Sequence, residues 1–99
     1  MTPEIAARLA VLGIQVMGEA KAYSIFSRGN CLGLAQRDET GFTSLGSSGM
    51  MTDAGLAYLV WRDGCPLLVA KQRETQADTG QVEAIRQFSS DLKAALGLA

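Results

Sequence analysis

The chain reads as an α+β domain: an antiparallel sheet of four or five strands, built from two β-hairpins and flanked by N- and C-terminal helices. Three features predict this. Residues 57–61 and 66–70 are uncharged runs separated by Arg62-Asp63-Gly64-Cys65, and Asp-Gly favours a tight turn between antiparallel strands. Residues 21–37 follow the same plan around Gly29-Asn30. Helix signals stand at both ends, Thr2-Pro3-Glu4 at the start and Asp78-Thr79-Gly80-Gln81 near the finish.

The first helix has Thr2 as N-cap, Pro3 at its first position and Glu4 where the helix dipole favours an acid. Glu4, Arg8, Gln15 and Glu19 fall on one arc of the helical wheel, which carries the predicted helix to a stop at Gly18. Ile5, Leu9, Leu12 and Val16 form the stripe that a sheet would cover. Ala10, Ile14 and Met17 lie beyond it, and a second apolar side on a small domain points to contact with another copy of the chain. These three are the candidate interface residues.

In the first hairpin, Gly29 at the first central position suits a type II′ turn flanked by Ser27-Arg28 and Cys31-Leu32. Residues 38–53 are rich in Gly, Ser and Thr; they predict a loop with one short edge strand at 42–45 and a second short strand or a helical turn near Met51. The second hairpin is apolar on both faces, with Tyr58 and Val60 on one and Leu59 and Trp61 on the other. Such a sheet expects cover on each side. The two hairpins also match each other at a spacing of 35 residues: Ala22/Ala57, Tyr23/Tyr58, Gly29/Gly64, Leu32/Leu67, Ala35/Ala70, Glu39/Glu74 and Thr40/Thr75 are identical. Cys31 and Cys65 are one place out of step in that match, which sets them on opposite faces. The last helix has Asp78 as N-cap with Gln81 in capping-box position, an apolar face of Val82, Ile85, Phe88, Leu92 and Leu96, and a stop at Gly97.

Ninety-nine residues make a single domain, 1–99, and a composition 47% hydrophobic and 19% charged is that of a folded chain. Nine basic and ten acidic residues give no field that would recruit nucleic acid or an anionic membrane, and no apolar run has the length of about 20 residues that spans a bilayer. Histidine is absent, which removes Ser/His and Cys/His nucleophile pairs and the usual zinc ligand sets. Two cysteines are too few for a disulfide framework. We therefore expect no enzyme activity, no metal and no cofactor. The apolar stretch 9–18 before Ala20-Lys21-Ala22 has the outline of a secretory leader, but Glu4 cancels the basic start and Gln15 interrupts the run, so a cytoplasmic protein is expected.

Gly41 to Gly46 has the glycine spacing of a phosphate-binding loop, but Ser47 stands where such a loop needs Lys. What survives is a cradle for a small polar ligand, with Ser44, Ser47, Ser48 and Thr52 as candidate binding residues and Trp61 beside them. Among the aromatics, Phe26 and Trp61 lie next to the turns and are the candidates for exposure. The order of elements is similar to that of small roadblock-type dimerisation domains, which carry a helix where this chain places its Gly and Ser. The functional expectation is a non-catalytic homodimeric interaction or regulatory module. The alternative is a small-ligand sensor or carrier with its site between the sheet and residues 41–53.

Overall fold

Helix α1 (Pro3–Val11) is followed by eight strands and a closing helix: β1 (Gln15–Glu19), β2 (Tyr23–Arg28), β3 (Cys31–Asp38), β4 (Gly41–Leu45), β5 (Gly49–Thr52), β6 (Gly55–Arg62), β7 (Cys65–Ala70), β8 (Arg73–Gln76) and α2 (Thr79–Leu96). The computed structural model describes residues 2–46 and 48–98. The architecture is α+β with an antiparallel sheet and two terminal helices, as the sequence predicts, but the sheet has eight strands rather than four or five. The edge strand expected at 42–45 is β4, and the second short strand, one of the two alternatives near Met51, is β5; the strands not expected are β1, read from sequence as helix, and β8, which takes its order from its neighbour rather than from an apolar pattern of its own.

The sheet is two consecutive four-stranded meanders, β1 to β4 and β5 to β8, joined where β3 pairs with β5 at Cys31↔Met50 and Leu32↔Gly49. β4 occupies the other half of the same edge of β3, from Ala35 to Asp38. Both hairpin turns form as predicted. Gly29 alone has positive φ (60°) in the first, a type II′ pattern, whereas Asp63 (52°) and Gly64 (78°) both have it in the second, a type I′ pattern. The second turn closes at Arg62↔Cys65, 34 residues after Arg28↔Cys31, so the match at 35 slides the second hairpin by two residues in register while leaving every side chain on its face. Cys31 is accordingly buried and Cys65 exposed.

α1 ends at Val11, not near Gly18. The Leu12 and Gly13 amides return to the carbonyls of Arg8 and Ala10, Gly13 takes a positive φ of 71°, and the chain leaves as an extended edge strand. α2 has the full capping box, with the Gln81 backbone N–H donating to the Asp78 carboxylate and the Gln81 side-chain Oε1 accepting from the Asp78 N–H, and it ends at Gly97 in a left-handed conformation. Both helices contribute to a core on one face of the sheet, here called inner. Leu9 and Ile14 join Phe26, Cys31, Ala35, Ala57, Leu68 and Ala70 from the strands and Phe88 and Leu92 from α2. Small side chains let α2 lie close: a Cβ at Gly33 would stand 3.0 Å from both Leu92 and Phe88. Phe26 is completely buried and stacks at 5.9 Å on Phe42, so its predicted exposure is overturned; it points inward because it alternates with Tyr23 and Ile25.

One cation ties the layers together. Arg28, at the end of β2, donates to the Leu12 carbonyl at the end of α1 (3.2 Å) and to Asp91 of α2 (2.8 Å), with its guanidinium 5.6 Å from the Phe88 ring centre. Arg28 and Gln87 together hold the Asp91 carboxyl below the usual carboxylate range. A carboxyl depressed in the folded state stabilises fully above its unfolded pKa, near 4, and loses that contribution as pH falls through the folded value. Arg28→Ala should cost on the order of 2 kcal/mol in urea unfolding at neutral pH. The stability gap between wild type and Asp91→Asn should shrink as the pH is lowered below about 4.

Candidate functional site

Strand alternation divides the apolar residues between two faces, and only one of them meets the helices. Cross-strand partners share a face, so the register fixes the other, outer side. It carries Tyr23 and Ile25 from β2, Leu32 and Leu34 from β3, Met51 from β5, Leu56, Tyr58 and Val60 from β6, and Leu67 and Val69 from β7. None of these residues belongs to the core cluster or packs against it. Tyr23, Met51 and Tyr58 are 41%, 48% and 45% exposed. No charged residue interrupts this surface across its middle.

Its margin is polar. The Ser44 hydroxyl donates to the side-chain Oε1 of Gln36 at 3.1 Å beyond β3, and Arg62 bridges to Glu74 at 2.6 Å across β7. An apolar centre with aromatic and Met side chains inside a polar rim is the composition of a protein interface. At the centre, the row Leu32, Gly49, Tyr58 has no side chain in its middle member, and a hollow of about 120 Å³ opens there, walled by Ile25, Leu32, Leu34, Leu56 and Tyr58 and reaching Gly33.

The residues expected to bind ligand are not brought together. Ser44 is exposed on the outer side, Ser47 lies outside the described residues, and Ser48 is buried against the inner face near Gly33, its hydroxyl without a hydrogen-bond partner. Thr52 donates its hydroxyl to the Gly55 carbonyl in the β5–β6 turn. Trp61 is half-exposed near the hairpin tip with the Arg86 guanidinium 5.6 Å from its ring centre. Thr52 alone reaches a recess, of about 240 Å³, floored by Ala57, Leu68 and Ala70 on the inner face and edged by Asp53, Arg73, Thr75 and Gln81.

The candidate interface residues separate too. Ala10 is exposed on α1, Ile14 is only 5% exposed because it is part of the chain's own core, and Met17 is exposed at the bulge of β1. The helical side they were expected to share does not exist, because the helix has ended before Ile14. The residues that do form a continuous surface are those of the outer sheet face, and the signal for them was present in the two-sided apolar character of residues 57–61.

Among the described residues no group of three or more His, Cys, Asp or Glu could hold a metal ion, and no helix is long and apolar enough to cross a membrane. Compared with known proteins, the chain matches no family model, no curated protein and no solved structure. The two thiols differ in a way that checks the assignment of faces. Burial raises the pKa of Cys31, with Arg28 opposing in part, while Cys65 is exposed. A thiol reagent added to native protein should label one cysteine, identified as Cys65 by peptide mapping; Cys31 should react only after denaturation.

Proposed function

We propose that the protein is a non-catalytic interaction module that works as a homodimer, pairing through the outer face of its sheet. The observation that carries this is the uninterrupted apolar surface across β2, β3, β5, β6 and β7, to which neither helix contributes cover. Five strands at about 4.8 Å spacing, each about six residues long, span about 24 by 20 Å, a projected area of roughly 480 Å². Before the relief of its side chains is counted, that is somewhat over half of the ~800 Å² that each partner brings to a standard interface. A lone molecule leaving it in water would forgo roughly 25 cal/mol for every Å² of apolar area.

The strand edges argue for the face rather than for sheet extension. β1 is bulged between Val16 and Gly18, the β3–β4 ladder is bulged at Gln36/Arg37, and β8 is the fully exposed tetrapeptide Arg-Glu-Thr-Gln. Bulges and charges are the devices that discourage edge-to-edge pairing. Light scattering on a sizing column should give twice the 10.5 kDa of one chain at micromolar concentration. Val60→Lys should return the monomer with unchanged circular dichroism, since an unpaired charge would be buried in the pair. A monomeric wild-type protein would sink the proposal.

A second reading, a small-ligand carrier, draws on the recess beside Thr52. Asp53 and Arg73 edge it, and neither has an ion-pair partner among the described residues. Such a place suits a small zwitterion, although about 240 Å³ is below the usual range for ligand pockets, roughly 300–1,000 Å³. Amino acids screened by thermal shift should raise the melting temperature in proportion to the logarithm of their concentration above Kd, an effect that Arg73→Ala abolishes; a flat response across the panel removes this reading.

A further inference from the structure

Building on the homodimer reading, we infer that the two-fold axis of the pair runs beside Tyr58, and that the Tyr58 ring of each copy seats in the hollow over Gly49 of the other. The hollow lies between Leu32 and Tyr58, whose common cross-strand neighbour Gly49 has no side chain. At about 120 Å³ it has room for roughly four waters. Its walls are the aliphatic side chains of Ile25, Leu32, Leu34 and Leu56 together with Tyr58, which give water little to bond with. On the homodimer reading the occupant is a side chain of the second copy.

Symmetry selects which one. In an isologous contact a protrusion on one copy fills the hole of the other and the reverse holds as well, so the axis passes midway between protrusion and hole on each surface. A protrusion next to the hole keeps the axis in the middle of the apolar face; a distant one, such as Tyr23 at the start of β2, would shift the axis outward and leave part of the face uncovered. Two exposed side chains border the hollow, Tyr58 on its wall and Met51 paired across the strands with Leu56. Tyrosine is the better anchor. It gives up less side-chain entropy than methionine when fixed, and its hydroxyl can stay at a wet margin while the ring is buried.

The test uses full-length protein, half isotope-labelled and half unlabelled, in a filtered nuclear Overhauser experiment that reports only contacts between copies. Expected are cross-peaks from the Tyr58 ring to the methyl groups of Ile25 and Leu34. In sedimentation equilibrium, Tyr58→Ala should raise the dimer dissociation constant at least about tenfold, and Met51→Ala by less, with circular dichroism confirming that both variants stay folded. A dimer that lacks those cross-peaks, or one that tolerates Tyr58→Ala as well as Met51→Ala, overturns the seating of Tyr58 and leaves the pairing itself standing. A wild-type protein that sediments as a monomer overturns both.

Discussion

The arrangement depends on where Arg28 sends its charge. From the tip of the first hairpin its guanidinium reaches the last carbonyls of α1, the Asp91 carboxylate and the face of Phe88, and so joins the sheet to both helices. Each contact alone is modest for a partly exposed group. Their value lies in sharing one donor group, because breaking any of them leaves the others without their geometry. Both helices are thereby drawn to the same side of the sheet. What this face gains, the opposite face lacks.

That asymmetry makes the side-chain sizes intelligible. Inner positions alternate large and small: Phe26 and Leu68 are set beside Gly33, Ala35, Ala57 and Ala70, which admit α2 at close range. Outer positions are mostly medium to large, with Ile25, Leu32, Leu34, Tyr58, Val60, Leu67 and Val69, a gap at Gly49 and one small polar residue, Ser27, toward the β1 side. A surface meant only for solvent would alternate apolar inside with polar outside. Here the polar residues that normally cover an outer face are confined to its rim, at Gln36, Ser44, Arg62, Glu74 and Gln76. Two hidden hydroxyls, Ser24 and Ser48, have no hydrogen-bond partner on the inner side and do not border the recess; the structure offers no physical account of them.

Much of this was legible before any coordinates. Turn residues with a stereochemical mechanism, Gly29 and Asp63-Gly64, located both hairpins and, for the first, its type, and the capping box at Asp78 and Gln81 located α2. The two-sided greasiness of residues 57–61 announced a second apolar face. Misread was the span after Val11. Gln15 and Glu19 fit a helical wheel as well as they fit a strand, and over so short a span periodicity does not separate the two. Gly13 was a stop signal five residues ahead of Gly18, and the β-branched Val16 beyond it favours extension. Misplacing that boundary turned Ile14 from a core residue into a surface one. β8 escaped for a different reason: Arg73–Gln76 has no apolar pattern, and its pairing is dictated by β7. The scattered Ser44, Ser48 and Thr52 were close in sequence, but passage from β4 to β5 along the edge of β3 carries them to different sides of the sheet.

Among the described residues the two meanders meet through two residue pairs between β3 and β5, while hairpins within each meander are tied by four to six. Such a seam is the place where a continuous sheet bends most readily, since opening it sacrifices few ladder bonds and breaks no hairpin. Curvature of the outer face is thus constrained least along this seam. A keel of this kind would let one surface conform to another without either half losing its own order.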